Sequence, residues 1–303
     1  KSMRHHVKKN INNVIQALMN SNDIVEQNIG LEDTSALISL LTECQQSAIG
    51  VGEIIEQSEG DGTNAVKSLE QYCETIYQLS LVINDANKSK KITKSIRNQL
   101  QRISNSINYD IPDSKKEIVF LPYNASMWDS FESVWKAADE DDNCNAYVIP
   151  IPYYDKNSDG TFGQMHYEGN EFPEYVQITS WEEYSIAKNQ PDVVYIHNPY
   201  DNANKATSIH PDYYANELKR HIGMLVYIPY FVPVGDVPKH FCVLPGTMYA
   251  DKIIVQSEKE KQTYISEFQK FEIENNCVGL FGNLDEKFLA LGSPKFDKVV
   301  SIS

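Results

Sequence analysis

The sequence predicts an α/β protein in which an α-helical hairpin or bundle precedes a Rossmann-like, mostly parallel sheet. In the first third of its 303 residues, apolar residues recur at helical spacing, and from Lys116 onward short β-branched or aromatic runs alternate with helix-compatible stretches. A chain of this length can bury two modest cores. We therefore expect a helical region over 1–110 and a Rossmann-like domain over 114–303.

Two amphipathic stripes predict a pair of antiparallel helices. Gly60, Asp61 and Gly62 interrupt the helical spacing between them. Thr63 is a candidate N-cap, because its hydroxyl can accept a backbone N–H at the start of the second helix. The stripe residues are Leu37, Leu41, Cys44, Ala48, Val51 and Ile55 in the first helix and Ala65, Leu69, Tyr72, Ile76, Leu79, Ile83 and Ala86 in the second.

A third stripe resumes out of phase after 87–91. It consists of Ile92, Ile96, Leu100, Ile103 and Ile107. The phase change indicates either a stutter in one long helix or a break into two, and the pattern leaves both open. Stripes of this kind favour an intramolecular bundle in which they face each other, whereas an exposed stripe would support a homodimer or docking to a membrane partner.

The sheet is predicted from short, continuously apolar runs, which suit strands buried on both faces. These runs are Ile118–Leu121, Tyr147–Ile151, Val193–Ile196, Leu225–Ile228 and Ile253–Val255, with helices predicted at Ser130–Ala138, Pro211–Arg220 and Glu258–Phe271. Ile111-Pro112-Asp113 marks the boundary with the helical region, because proline disfavours helix at the residue before it.

Charge and composition exclude several classes of protein. The net charge of -15 and pI near 4.9 would repel a phosphate backbone, so we expect no nucleic-acid partner. Five scattered cysteines without a Cys-x-x-Cys pair favour a reducing, cytoplasmic compartment. The sequence carries no apolar run of membrane-spanning length and no Walker, Gly-x-Gly-x-x-Gly, Gly-x-Ser-x-Gly or His-Glu-x-x-His signature, and we predict neither a metal nor a cofactor.

Four strand ends share a Pro-Tyr pair, at the edge of the sheet where ligands of open parallel sheets bind. Phenol rings there would offer an apolar face and a hydroxyl to sugar-like or glycerol-like ligands. The alternative is that each proline ends a strand and each tyrosine covers it, but the repetition favours a site. The predicted substrate-binding residues at these ends are Tyr123, Asn124, Tyr153, Asn198, Tyr200 and Tyr230.

His197 is the first catalytic candidate, since it directly follows the run Val193–Ile196. An imidazole paired with a carboxylate can take a proton from an attacking hydroxyl near neutral pH. We predict His197 as the base and the nearby Asp201 as the carboxylate, with a purely structural histidine or an acceptor ligand as the alternatives. The weaker candidates are His166, His210 and His240.

Two acidic segments have simpler interpretations than metal binding. Asp155 to Gly160 begins like a calcium loop, but the twelfth position is His166 instead of a bidentate glutamate, so a surface turn is favoured. Asp139 to Asp142 is expected to be a solvated charge run at the opposite edge of the sheet.

Four segments stand out within 117–299: Ile149–Asp155, Tyr195–Asp201, Ile254–Glu258 and Leu291–Lys298. Through these segments the stretch 117–299 resembles the N-terminal half of the CDP-glycerol glycerophosphotransferases of teichoic-acid and capsule assembly. The resemblance implies the N-terminal lobe of a GT-B fold, closed by the Gly-Ser-Pro-Lys-Phe-Asp segment. It also implies substrate contacts by Ser257, Gly292 and Ser293, in a reaction that needs no metal.

In function, the resemblance implies a transferase that moves a polyol phosphate or sugar from a CDP or other nucleotide donor to a hydroxyl acceptor, which can be lipid-linked. The donor would be bound mainly by a C-terminal domain beyond Ser303, so this portion is expected to be inactive alone. The expected location is the cytoplasm, including its membrane face. The alternative is a non-catalytic module that binds a small ligand and dimerises through its helices.

Overall fold

The computed structural model describes residues 2–31 and 33–300. The chain divides into two compact units, Lys1–Ser114 and Lys115–Ser303. The division falls next to Ile111-Pro112-Asp113, where the sequence predicts the boundary. The protein is thus an α/β chain with a helical unit followed by a Rossmann-like unit.

The first unit is a helical bundle. Its helices are α1 (His5–Gln27), α2 (Ser35–Glu59), α3 (Asn64–Leu81) and α4 (Ala86–Tyr109). Helix α1 packs on α2 and α4, and helix α3 also packs on α2 and α4, so neighbouring helices close a ring around one core. The residues of the three predicted stripes line this core, as an intramolecular bundle requires, except Ala86, which is exposed at the start of α4 and was wrongly assigned to the second stripe.

The helix ends follow from local capping. The Thr63 hydroxyl accepts the Val66 N–H at 3.3 Å, which confirms the predicted N-cap of α3. Helix α3 ends at Leu81, and the Asp85 carboxylate accepts the Lys88 N–H at the start of α4. The out-of-phase stripe therefore reflects a break into two helices, and not a stutter in one.

The second unit contains two sheets. Its strands are β1 (Lys116–Leu121), β2 (Cys144–Val148), β3 (Tyr153–Lys156), β4 (Phe162–His166), β5 (Val193–Ile196), β6 (Thr207–Ile209), β7 (Met224–Tyr227), β8 (Lys252–Val255) and β9 (Phe288–Ala290). The main sheet has six strands in the order β2-β1-β5-β7-β8-β9, and all of its pairings are parallel. A small antiparallel sheet has the order β4-β3-β6.

Helices cover both faces of the main sheet. The described helices of this unit are α5 (Glu132–Asp139), α6 (Ile186–Asn189), α7 (Ala215–Leu218), α8 (Pro245–Tyr249), α9 (Glu258–Glu274), α10 (Leu284–Lys287) and α11 (Lys295–Val300). Along β1, Val119 and Leu121 enter one core with residues of α7 and α9, while Phe120 enters a second core with Trp135 of α5. Burial on both faces explains why these strands read as continuous apolar runs.

Several predicted bounds differ from the structure. The run Tyr147–Ile151 is predicted as one strand, but β2 ends at Val148. Because Pro150 and Pro152 have no N–H, the hydrogen bonds to the segment of β1 continue only through Ile149 and Ile151. The predicted helix Pro211–Arg220 is a 3₁₀ turn at Pro211–Tyr213 followed by the short α7.

Two further observations concern the hydropathy of the helices and the acidic run. Within residues 2–31 and 33–300, every helix is too short or too polar to cross a lipid bilayer. The acidic run from Asp139 to Asp142 is exposed between α5 and β2, at the amino edge of the sheet, as the sequence predicts.

Candidate functional site

The connections of the main sheet place a candidate ligand crevice at its carboxyl edge. After β1 the chain crosses to β2 on one side, whereas β5 lies on the other side of β1, so the winding reverses between β1 and β5. Open α/β sheets bind ligands beyond the carboxyl ends of their strands at such a reversal. Here Pro122-Tyr123 follows β1 and His197 follows β5 directly.

His197 links the two segments that leave these strands. Its Nε2 accepts the backbone N–H of Tyr123 at 3.2 Å, and its Nδ1 lies 3.1 Å from the Ser130 hydroxyl oxygen. Because the Ser130 hydroxyl donates to the Met127 carbonyl at 2.8 Å, its oxygen is left to accept from Nδ1–H. The ring also stacks on Phe131 at 4.7 Å. These contacts fit a neutral imidazole that carries its proton on Nδ1.

The environment of His197 keeps that imidazole neutral. The side chain is fully buried, and burial lowers the pKa of His197 from 6.5 to about 3, with a smaller contribution from the nearby Lys295 ammonium. Asp201, expected beside it, instead accepts the Ala215 N–H at 2.9 Å. The structure thus gives His197 a positioning role, and its action as a base with Asp201 stays a prediction.

The tyrosines of the four Pro-Tyr pairs form one connected cluster, in which Tyr123 and Tyr230 lie beside His197. The Tyr123 ring lies 5.4 Å from both the Tyr153 ring and the His197 ring, and the Tyr230 ring lies 6.3 Å from His197. Burial and a hydrogen bond with Tyr230 raise the pKa of Tyr200, which places those two hydroxyls together. All four side chains are only partly buried, so their edges face solvent.

Glu168 anchors this cluster on one side. The Tyr153 hydroxyl donates to Glu168 Oε1 at 2.9 Å, and the backbone N–H of Ala125 donates to Oε2 at 2.7 Å. Burial, followed by the hydrogen bond to Glu168, raises the pKa of Tyr153 to about 12. The sequence does not point to Glu168, because it follows β4, a strand that the apolar pattern does not reveal.

Tyr153 belongs to the small sheet, and its neighbour in β4 holds its ring. His166, opposite Tyr153 in the β3–β4 ladder, stacks on it at 5.0 Å, and its Nε2 lies 2.9 Å from Asp155 Oδ2. The supposed calcium loop is the turn of this hairpin, since Asp159 Oδ1 accepts the Thr161 N–H at 3.0 Å. Among the residues that the structure describes, no group of three His, Cys, Asp or Glu could hold a metal ion. The turn interpretation is confirmed.

The two predicted asparagines shape the loops. Asn124 Oδ1 accepts the Ser126 N–H at 3.0 Å and so caps the 3₁₀ turn Ala125–Ser130. Asn198 Oδ1 accepts the Tyr200 N–H at 2.8 Å. Both side chains fix the path of the chain toward the tyrosine cluster.

Ser257, Gly292 and Ser293 lie at the far side of the same edge, beyond β8 and β9. Ser257 caps α9 by accepting the Glu260 N–H at 3.2 Å. Gly292 has φ +90°, which favours glycine, and its N–H donates to the Val255 carbonyl at 3.1 Å. Gly292 and Ser293 line a narrow crevice with residues that follow β7. They therefore border the tyrosine cluster without joining it.

The segment after Ser293 returns toward β1. The Lys295 ammonium lies 3.2 Å from Asp129 Oδ1, and the Ser133 hydroxyl donates to Asp297 Oδ2 at 2.7 Å. Asp129 and Ser133 belong to the segment that leaves β1. The Gly-Ser-Pro-Lys-Phe-Asp segment is thus held against one border of the crevice.

The chemistry of the crevice is that of hydroxyls, a carboxylate and aromatic faces. The groups that perturb the pKa values of Tyr123, Tyr153 and Tyr200, besides burial, are other tyrosines and carboxylates. The second unit is thus a Rossmann-like α/β unit whose carboxyl edge carries an aromatic, hydroxyl-rich cluster. Comparison with family models, curated proteins and solved structures finds no match to this chain.

Proposed function

We propose that the α/β unit binds the hydroxyl-bearing acceptor in a group transfer of the glycerophosphotransferase kind. In this reaction a polyol phosphate or sugar would pass from a CDP-linked or other nucleotide donor to the acceptor during cell-wall or capsule synthesis. The convergence of four Pro-Tyr tyrosines at the reversal point of a parallel sheet carries the proposal. Partly exposed phenol rings suit polyols, because the ring packs on C–H groups while the hydroxyl bonds to oxygen.

The crevice suits an acceptor better than a nucleotide donor. A pyrophosphate is recognised by cationic side chains and by backbone N–H groups at helix starts. The carboxylate of Glu168 would repel such a donor, and the nearby Lys295 is ion-paired with Asp129. We therefore assign the donor, and the acid–base chemistry that goes with it, to a second domain of the kind that the resemblance implies.

One observation favours a second candidate function, a non-catalytic module that binds a small polyol. Both ring nitrogens of His197 are engaged by Tyr123 and Ser130, so the residue nearest the reversal point serves the fold in this arrangement. In that case ligand binding would not be coupled to transfer at all.

Calorimetric titration with a short poly(glycerol phosphate) chain tests the acceptor proposal. We expect Tyr230→Ala to weaken binding about tenfold, because a stacking face is lost. Tyr249→Ala is the matched control, since Tyr249 is a half-exposed tyrosine of α8, which precedes β8 at the opposite edge of the sheet.

CDP-glycerol provides the counter-test. We expect it not to displace the acceptor chain from this protein. Displacement by CDP-glycerol, or equal weakening by Tyr230→Ala and Tyr249→Ala, would contradict the assignment. Acceptor binding with no transfer in any longer form of the chain would favour the module without catalysis.

A further inference from the structure

The outer surface of the helical unit carries a groove between α2 and α3. It has a volume of about 440 Å³. Ala48, Val66 and Leu69 form a buried apolar floor, and Ile49 and Tyr77 stand at the sides with half of their surface exposed. Exposed apolar walls around an open groove leave unburied surface that a partner could cover.

A glycine in the floor keeps this groove open. Gly52 lies inside α2, where glycine is less favourable than alanine because of its backbone entropy. A Cβ added to Gly52 would meet no atom within 4 Å. By contrast, a Cβ on Gly246 would come within 2.6 Å of Pro199 Cα, so close packing explains that glycine. Packing inside the chain does not explain Gly52.

The rim of the groove is acidic. Four glutamates of α2 and α3 line it: Glu53, Glu56, Glu70 and Glu74. Helix α2 has no lysine or arginine, and Lys67 is the single basic residue of α3. Among the described residues, none of these four glutamates forms an ion pair. An apolar floor between rows of negative charge is complementary to a helix with an apolar ridge flanked by cations.

We propose that this groove binds an amphipathic helix of a partner protein, with apolar residues at i, i+3, i+4 and i+7 and with lysines or arginines beside that ridge. The ridge packs over Ala48 and Gly52, where the missing side chain lets the two backbones approach. The cations pair with the glutamates of the rim. This interaction is independent of the crevice in the α/β unit.

A second copy of this chain fits the groove less well. The basic helix of the bundle, α4, has six lysines and arginines and no acidic residue. Four of its apolar residues, Ile96, Leu100, Ile103 and Ile107, are fully buried in its own core. The outward face of α4 therefore offers charge to the groove but no apolar ridge to fill it.

Binding of a synthetic amphipathic helix to the full chain tests the proposal. The probe is a labelled peptide of about 20 residues, which spans about 30 Å as a helix, with a leucine ridge flanked by lysines. A second peptide has glutamates in place of the lysines. We expect the lysine peptide to bind at least about tenfold more tightly in fluorescence anisotropy.

Two matched pairs of variants locate the binding. Gly52→Leu fills the floor and should weaken binding at least about tenfold, whereas Gly50→Leu, in the same helix but outside the groove lining, should change it less than about twofold. The double change Glu70→Lys and Glu74→Lys should reverse the preference toward the glutamate peptide. Glu43→Lys, exposed on α2 outside the groove lining, should not.

Several outcomes would overturn the proposal. They are no binding of the lysine peptide, equal binding of both peptides, or binding that Gly52→Leu leaves unchanged. If sedimentation showed a dimer that Gly52→Leu dissociates, the occupant of the groove would be a second copy of this chain. Far-UV circular dichroism checks the fold of each variant, and if Gly52→Leu fails to fold, the charge reversal at two exposed glutamates decides alone.

Discussion

Replacing Asp201 with asparagine tests whether one buried carboxylate limits the stability of the α/β unit at and above neutral pH. Asp201 is 4% exposed, and its Oδ2 accepts the Ala215 N–H at 2.9 Å. Its Oδ1 has no hydrogen-bond partner within residues 2–31 and 33–300. Burial raises the pKa of Asp201 from 3.8 to about 7, against a smaller opposing effect of the Ala215 hydrogen bond.

The sign of the pH dependence follows from the two pKa values. Below pH 3.8 Asp201 is protonated in the folded and unfolded chain alike, so its full contribution to stability is present. Between pH 3.8 and about 7 the unfolded chain releases the proton while the folded chain keeps it, so the free energy of unfolding falls as pH rises. At about 1.4 kcal/mol per pH unit over about three units, the loss reaches about 4 kcal/mol.

Asparagine removes this titration with little change in geometry. Its amide oxygen can still accept the Ala215 N–H, and asparagine tolerates the left-handed backbone at this position, where φ is +49°. Urea unfolding from about pH 4 to about pH 9 should show the variant gaining about 4 kcal/mol relative to the wild type as pH rises. Tryptophan fluorescence is the probe, because Trp128, Trp135 and Trp181 all lie in the α/β unit.

An exposed carboxylate serves as the control. The Asp212 side chain is 81% exposed, so Asp212→Asn should not reproduce the gain in stability expected for Asp201→Asn. Parallel profiles for the wild type and Asp201→Asn would refute the reasoning, since they would mean that the buried carboxylate ionises as easily in the folded chain as in the unfolded one.

Three further predictions address other named contacts. The pKa of His197 is lowered from 6.5 to about 3, so the unfolded chain takes up a proton first as pH falls, and the folded state loses stability. His197→Gln keeps one donor and one acceptor, and it should remove about 2 kcal/mol of this loss between about pH 6.5 and about pH 5. An acid-unfolding profile equal to that of the wild type would count against the prediction. Gly52→Ala should raise the free energy of unfolding of the helical unit by about 1 kcal/mol, because alanine favours the helix and its Cβ meets no neighbour. Circular dichroism in urea measures this change, and a loss of stability would show that the helix needs glycine there. Thr63→Ala should destabilise the same unit by about 1 kcal/mol through loss of the α3 cap, while Thr63→Ser should restore most of it.

The sequence predicts the parts of the fold whose signals are local. Val193–Ile196 matches β5 residue for residue, because a β-branched run between turns has one simple interpretation. Helix α1 escapes the stripe analysis because Lys8 and Asn22 occupy buried positions on it. Their partners are remote in sequence, since Lys8 donates to Asp113 at 2.8 Å and Asn22 to the Thr93 carbonyl at 3.0 Å.

In the candidate site, too, the sequence predicts the features with local signals and misses the contacts between residues that are remote in sequence. Repeated Pro-Tyr pairs at strand ends are visible in the sequence, and the structure brings their tyrosines together. The partners that hold the site, Ser130 for His197 and Glu168 for Tyr153, follow no local pattern. Glu168 reaches Tyr153 only because the exposed strand β4, which lacks an alternating apolar pattern, folds back on β3.

At the reversal point of the sheet, His197 links the segments that follow β1 and β5, and this link limits where a ligand could bind. His197 is buried and holds the chain after β1 through the Tyr123 N–H and the Ser130 hydroxyl, so a ligand cannot reach its ring without breaking two hydrogen bonds in a water-poor site. Tyr153, at the start of β3, and Tyr230, after β7, lie outside that link and are partly exposed. We therefore propose that a ligand at this edge meets the rings of Tyr153 and Tyr230, while the neutral imidazole of His197 holds together the segments that leave β1 and β5.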